Sequence, residues 1–209
     1  MPMPRQNRVT PAGELIVTNA RGQFMGNRGV LHNDNSELTA KRWTHQQWII
    51  CLLEFKGRKR DPLMKPGCYT ELFFGDEATA LAAGHRPCWE CNRGRYNQFK
   101  AAWLKGNPEY GFDPKVSIKE IDRVLHQERT HSARKNNPYR SKLGDLPDGV
   151  FVMTDDAEGQ YFLIQYGMLM RWSPEGYKHG PLVDSQQEVS VLTPKSTVNA
   201  IRAGYSPSK

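Results

Sequence analysis

Two cysteines, Cys88 and Cys91, have the spacing best suited to chemistry in this 209-residue sequence. Thiolates at positions i and i+3 of a tight turn can occupy two corners of a tetrahedral zinc site. Arg86 and Arg93 flank the pair, and their positive charges favour the thiolate form that binds metal. A redox dithiol favours the start of a helix after a strand, whereas this pair follows a predicted helix. The pattern therefore predicts zinc, with a redox pair or a pair without a ligand role as the alternatives.

The other two cysteines, Cys51 and Cys68, are 17 residues apart and can complete the site. The apolar segment 48–55 and the segment 68–74 are predicted strands, and if they are neighbours both sulfurs can reach the turn. Cys68 is the stronger candidate, because a strand followed by a helix returns residue 68 to the helix end at Gly84. The predicted zinc ligands are Cys51, Cys68, Cys88 and Cys91, with His32 or His85 as replacements for Cys51.

The sequence leading into this turn, FFGDEATALAAGHRPCWEC, places an aromatic strand end, a short helix ending in Ala-Gly and Arg-Pro-Cys-x-x-Cys in succession. Asp76 is the predicted cap of this helix, and Gly84 is predicted to end it in a left-handed conformation. Over residues 68–93 it resembles the N-terminal zinc domain of the bacterial Ada alkylation-response protein. The resemblance implies a zinc ion and an association with DNA. That family takes its other two ligands from a C-x-x-x-C pair upstream, which this sequence lacks. Because the methyl-accepting cysteine belongs to that pair, the resemblance does not imply methyl transfer.

A second group of reactive side chains lies in the predicted helix 117–131. Asp122 and His126 share a helix face with Arg129, and an Asp–His pair can orient an imidazole for proton transfer or for holding a phosphate. The candidate catalytic residues are Asp122, His126, Glu128 and His131. The alternative is a solvated helix face with salt bridges between neighbouring turns. A zinc deaminase is disfavoured, because no H-x-E sequence precedes Cys88.

Positive charge is concentrated in the first two-thirds of the chain. The net charge is +7, and residues 1–142 hold 24 Lys and Arg against 14 Asp and Glu, whereas residues 143–209 hold 5 against 8. Cations next to aromatic residues suit single-stranded or distorted nucleic acid, although a basic surface that only aids solubility is the alternative. The predicted nucleic-acid contacts are Lys56, Arg58, Lys59, Arg60, Arg86, Trp89, Arg93, Arg95, Arg134, Lys135, Arg140 and Lys142.

Hydrophobic periodicity predicts an α+β protein in which two β-rich portions flank a short helical region carrying the zinc turn. The predicted organisation is a basic zinc-binding region at 1–131, a linker or functional loop at 132–148 and a small β-rich region at 149–209. No apolar run is long enough for a membrane-spanning helix, and the N-terminus has no apolar leader, so we expect a cytoplasmic protein.

These features predict a zinc-stabilised nucleic-acid-binding protein that acts on DNA in repair or processing. Two alternatives stay open at this point. One is a nuclease or a base- or lesion-processing enzyme that uses the residues of helix 117–131. The other is a zinc-stabilised scaffold without a nucleic-acid partner.

Overall fold

Two six-stranded β-sheets and four α-helices form the described part of the computed structural model, which covers residues 4–58, 61–130, 138–157 and 159–208. The first sheet is built from residues before 90 and is called the N-terminal sheet. The second is built from residues after 138 and is called the C-terminal sheet. Two of the four helices lie between them along the chain, and the separate sheets and helices confirm the predicted α+β class.

The N-terminal sheet has the strand order β2-β1-β5-β3-β4-β6. Its strands are β1 (Gln6–Val9), β2 (Leu15–Val17), β3 (Phe24–Asn27), β4 (Ile49–Leu52), β5 (Leu72–Phe74) and β6 (Arg86–Pro87). Strand β3 therefore separates β4 from β5, and the expected pairing of segment 48–55 with segment 68–74 is wrong. Strand β5 also begins at Leu72, which leaves Cys68 in the preceding loop. The short β6 instead pairs with β4 in parallel.

Helix α1 (Glu77–Ala82) begins and ends where the sequence predicts. The side chain of Asp76 accepts a hydrogen bond of 2.7 Å from the backbone N–H of Thr79, and Gly84 has a left-handed φ of +82° just after the helix. Every residue of the helix is buried. Its small alanine side chains let it pack into the hydrophobic clusters of both sheets, so α1 joins the two halves of the molecule.

The C-terminal sheet has the strand order β11-β10-β9-β8-β12-β7. Its strands are β7 (Tyr139–Lys142), β8 (Phe151–Met153), β9 (Phe162–Gln165), β10 (Met168–Ser173), β11 (Gly176–His179) and β12 (Glu188–Val191). Part of the predicted linker 132–148 is therefore an edge strand, because β7 pairs with β12 along its whole length. Residues 131–137 lie outside the described part of the chain.

The largest hydrophobic core lies between the remaining helices and the C-terminal sheet. These helices are α2 (Arg93–Gly106), α3 (Ile118–Thr130) and α4 (Lys195–Arg202). Phe99, Trp103 and Ile121 from the helices pack in one cluster with Val152 and Phe162 from the sheet. This core draws residues from both of the regions predicted at 1–131 and 149–209. Burial of these large side chains provides the main favourable term for folding.

Candidate metal centre

Three cysteines, Cys51, Cys88 and Cys91, bring their sulfur atoms to within 4.8 Å of one another. Cys88 is buried, whereas Cys51 and Cys91 are half-buried. A tetrahedral zinc ion with Zn–S bonds of about 2.3 Å requires sulfurs about 3.8 Å apart, so small side-chain movements would place all three around one ion. The donor chemistry and the spacing therefore fit a thiophilic metal ion.

The register of two parallel strands brings Cys51 to the Cys88–Cys91 turn. Ile50 pairs with Pro87, and the backbone N–H of Cys88 donates to the carbonyl of Ile50 at 2.9 Å. The next residue on each strand is a cysteine, so the pairing itself sets Cys51 beside Cys88. Strand alternation buries Ile50 in the core and turns Cys51 to the other face of the sheet.

The preference for Cys68 over Cys51 is corrected by this geometry. Cys68 is exposed in the loop before β5 and does not belong to the group of close sulfurs. The expected strand return fails because β3 lies between the two strands that were to carry the sulfurs. Within the described part of the chain, the structure therefore provides three grouped sulfurs and leaves Cys68 apart from them.

Neither alternative histidine belongs to the group. The ring nitrogens of His32 lie 2.7 Å from the hydroxyl of Thr70 and 3.2 Å from the carbonyl of Lys65. His85 is buried between aromatic rings, with its centroid 4.7 Å from Phe74 and 5.3 Å from Trp48. Both histidines thus serve the packing of the N-terminal sheet.

Hydrogen bonds within the cysteine group concentrate negative charge on one sulfur. Hydrogen bonds from Cys51 and Cys91 lower the pKa of the Cys88 thiol, and the backbone N–H of Glu90 also donates to its sulfur at 3.4 Å. The hydrogen bond to Cys88 raises the pKa of Cys51, as do the bond to Cys91 and burial. Within the group, these contacts favour ionisation at the sulfur of Cys88.

The surroundings of the turn differ from the sequence-based expectation in one respect. The turn lies between strand β6 and the start of α2 at Arg93, so it precedes a helix rather than simply following one. A helix N-terminus favours a thiolate, which suits a redox dithiol as well as a metal site. The third sulfur, from Cys51, is the feature that favours a metal ion over a redox pair.

Outside the cysteines lies an exposed group of residues that we call the knuckle surface: Lys56, Arg58, Trp89, Glu90 and Arg93. The indole of Trp89 is 53% exposed, and the guanidinium of Arg93 lies 4.2 Å from its ring centroid. Arg58 donates to both carboxylate oxygens of Glu90 across the turn. One cation, Arg93, therefore lies over an exposed aromatic ring, and the loop that carries Lys56 and Arg58 is joined to the same turn through Glu90.

The other described cations of the predicted nucleic-acid set are held by carboxylates or amides. Arg86 is buried in a two-point ion pair with Asp122, and Arg95 pairs with Glu77. Arg140 pairs with Asp155, and Lys142 donates to Gln186 at 3.0 Å. Four further members lie outside the described residues: Lys59, Arg60, Arg134 and Lys135. The structure thus gathers only the knuckle surface into one exposed patch among the described members.

The structure does not bring the candidate catalytic residues of α3 together. Asp122 binds Arg86 with both oxygens at 2.7 and 2.8 Å, and Glu128 accepts bonds from the backbone and hydroxyl of Ser196 at the start of α4. His126 packs its ring against two tryptophans, and His131 lies outside the described residues. Pro194 is the N-cap residue of α4, and Ser196 lies in the first turn of that helix.

The solvated-face alternative for α3 also fails, because Asp122 and Arg129 are almost completely buried. Arg129 extends from α3 to the N-terminal sheet and places its guanidinium 3.8 Å from the ring centroid of Trp48. Arg28, a residue that the sequence analysis did not select, lies 4.4 Å from the same centroid. No spacing rule links residues 28, 48 and 129, so only the folded chain reveals this cluster.

Comparisons with protein-family models, with curated proteins and with solved structures found no significant match to this chain. None of the helices in the described residues is long and apolar enough to cross a membrane. The functional argument therefore depends on the residues and their geometry.

Proposed function

We propose that this protein is a zinc-stabilised nucleic-acid-binding protein in which Cys51, Cys88 and Cys91 hold the ion. Zinc is the favoured metal because thiolates are soft ligands that bind it well. A tetrahedral site of sulfur ligands is also typical of structural zinc. A bound ion would cross-link β4 to the turn before α2, and its binding free energy would add to the folding free energy.

The fourth zinc ligand comes from outside the three grouped sulfurs. A water molecule is one source, and Cys68 becomes another if the loop before β5 moves towards the site. A four-sulfur site would be closed and structural, whereas a water ligand would leave a position for exchange. Zinc retention in the Cys68→Ser variant distinguishes these two sources of the fourth ligand. Loss of a direct ligand weakens zinc retention, whereas loss of a remote thiol does not.

The observation that carries nucleic-acid binding is the exposed ring of Trp89 with the guanidinium of Arg93 on one face. Bases stack on exposed aromatic rings regardless of their identity, and neighbouring cations neutralise the phosphates. Lys56 lies on the same surface and supplies a further cation. We therefore expect the knuckle surface to bind single-stranded nucleic acid in preference to duplexes, whose bases are not available for stacking.

Binding is favoured over catalysis because the candidate catalytic side chains have structural partners. Asp122 neutralises the buried Arg86, and Glu128 binds the start of α4. Burial lowers the pKa of His126 to about 4, with a contribution from the charge of Arg129. A general base needs a lone pair that can reach a substrate proton, whereas both carboxylates are hydrogen-bonded and Nδ1 of His126 already accepts from Arg129 at 3.2 Å.

The proposal is tested by fluorescence titration of zinc-loaded protein with single-stranded and duplex DNA over a range of salt concentrations. We expect affinity for single strands to fall log-linearly with salt, because bound cations release counterions. Trp89→Ala should weaken single-strand binding by about 1–3 kcal/mol. The matched control is Tyr166→Asn, which removes an exposed ring from the C-terminal sheet and tolerates the left-handed φ of 52° there.

Two outcomes would contradict the assignment of nucleic-acid binding. One is single-strand affinity that does not depend on salt. The other is an equal loss of affinity in Trp89→Ala and Tyr166→Asn, which would mean that the knuckle surface has no special role. A protein that retains zinc but binds no nucleic acid would support the zinc-stabilised scaffold instead.

A further inference from the structure

Three arginines are buried around Trp48, where α3 meets the N-terminal sheet. Arg28, Arg86 and Arg129 are each at most 4% exposed. Asp122 pairs with Arg86 through both carboxylate oxygens. Among the described residues no carboxylate hydrogen-bonds to Arg28 or to Arg129. Because a buried charge is costly unless it is paired, the cluster has a surplus of two positive charges to explain.

Neutral groups hold the two arginines that lack a carboxylate. Both guanidiniums lie over the indole of Trp48, and Arg28 also donates to a ring nitrogen of His85 at 3.4 Å. Backbone carbonyl oxygens accept their other hydrogen bonds: those of Gly13, Gly84 and Gln46. Carbonyls and an aromatic ring stabilise a cation by electrostatic attraction, but they do not neutralise its charge.

Hydrogen-bonding capacity is also left over in this cluster. Nη2 of Arg28 and Nε of Arg129 are buried without a partner. Burial lowers the pKa of Arg28 to about 9, and the positive charge of Arg42 lowers it further. Burial likewise lowers the pKa of Arg129. Two guanidiniums without a hydrogen-bonded carboxylate and two donors without a partner leave the cluster short of negative charge, which an anion at its edge would supply.

The cluster reaches the surface through a rim formed by His126 and Trp43, both half-buried. Nδ1 of His126 lies 3.2 Å from Nη2 of Arg129, which can only donate. The proton of the neutral imidazole is therefore on Nε2, which can donate to a ligand. Residues 39–48 cover the cluster without forming helix or strand, and Arg129 bonds this segment at the carbonyl of Gln46.

We propose that this rim binds a dianionic phosphoryl group, as inorganic phosphate or a phosphomonoester. The phosphoryl oxygens accept hydrogen bonds from Arg129 and from Nε2 of His126, in place of the neutral carbonyl of Gln46, and Arg42 contributes charge from the covering segment. A dianion matches the surplus of two charges, whereas a carboxylate or a phosphodiester carries only one. Planar guanidinium groups suit oxyanions because they donate two parallel hydrogen bonds. The site is independent of the cysteines and of the knuckle surface.

The test is calorimetric titration of the full chain with inorganic phosphate at constant ionic strength set by chloride. We expect one saturable site per chain, and affinity about tenfold lower in His126→Gln and in Arg42→Gln, since each removes one interaction with a charged group. Arg123→Gln is the matched control, because it removes an exposed arginine from the same helix and should leave the affinity within about twofold.

Titration with other phosphate ligands and a check of folding make the result decisive. Dimethyl phosphate, a monoanionic diester, should bind more weakly than inorganic phosphate, and a nucleoside monophosphate that binds more tightly would identify the phosphomonoester as the natural source. Circular dichroism of each variant establishes that it is folded before titration. The proposal is overturned by the absence of saturable heat with phosphate, by equal affinity for dimethyl phosphate, or by unchanged affinity in folded His126→Gln and Arg42→Gln.

Discussion

One strand, β4, positions two clusters of opposite electrical character. Cys51 lies within the strand and joins Cys88 and Cys91, three thiols that share hydrogen bonds among themselves. Trp48 lies one residue before the strand and carries the guanidiniums of Arg28 and Arg129. Each cluster gathers side chains that ionise with the same sign. We propose that an ion or ligand of the opposite sign completes each of them.

The two clusters differ in how far their own side chains can suppress or neutralise the charge. The thiols can lower their charge by staying protonated, because a cysteine is mostly protonated at neutral pH unless a cation or a hydrogen-bond donor stabilises the thiolate. Arginine cannot do so at neutral pH, and the cluster around Trp48 must therefore use Asp122 as its internal anion. The arginine cluster is consequently the part of the molecule that is most sensitive to the loss of a single charge.

The largest effect is expected from Asp122→Asn, which removes the carboxylate from the arginine cluster. Three guanidiniums would then stay buried without a carboxylate bonded to any of them, and we expect the free energy of unfolding to fall by about 3–5 kcal/mol. Urea unfolding followed by tryptophan fluorescence measures this change. Glu120→Gln is the control, because its exposed pair with Arg123 on the same helix should contribute less than about 1 kcal/mol. A similar small loss in both variants would refute the charge argument.

The contrast between the clusters also marks what could be predicted from the sequence. The helix caps at Asp76 and Gly84 and the Cys88–Cys91 turn are local patterns, and the structure contains them as expected. The choice between Cys51 and Cys68 depends on which strands are neighbours, and the sequence does not specify that β3 inserts between β4 and β5. Local spacing therefore predicts the Cys88–Cys91 turn, but it does not predict that Cys51 supplies the third sulfur of the group.

The residues of α3 show the same limit in another form. Helical spacing placed Asp122 and His126 on one face, but it could not show that this face lies against the N-terminal sheet and that Asp122 is buried there. Arg86 and Arg129 were expected to lie near a surface because most arginines do. Their burial follows from contacts between residues more than 35 positions apart in the sequence, such as Arg86 with Asp122.

A smaller change in stability is expected when the pH is lowered, because histidines beside the arginine cluster have lowered pKa values. Burial lowers the pKa of His126 to about 4, and it also lowers the pKa values of His45 and His85. Between pH 6.5, the usual histidine value, and about pH 4, the unfolded chain binds more protons than the folded one. Stability should therefore fall as the pH decreases through this range.

His126→Gln isolates one part of this dependence. The variant removes one titrating group, so its free energy of unfolding should change less steeply between about pH 6.5 and pH 4 than that of the parent protein. Urea unfolding at a series of pH values measures the two slopes, and His179→Gln, an exposed histidine of β11, serves as the control. Identical slopes in all three proteins would mean that His126 titrates normally and that the arginines beside it exert no measurable field.

The cysteine cluster is tested most directly by comparing zinc retention in Cys51→Ser and Cys68→Ser. After purification and dialysis against a weak chelator, the parent protein should hold about one zinc ion per chain, measured by mass spectrometry of the metal. We predict that Cys51→Ser loses most of this zinc and unfolds at a lower temperature, because Cys51 is one of three grouped sulfurs. Cys68→Ser should retain more zinc than Cys51→Ser. A protein that holds no zinc, or a greater loss in Cys68→Ser than in Cys51→Ser, would contradict the metal centre described for this chain.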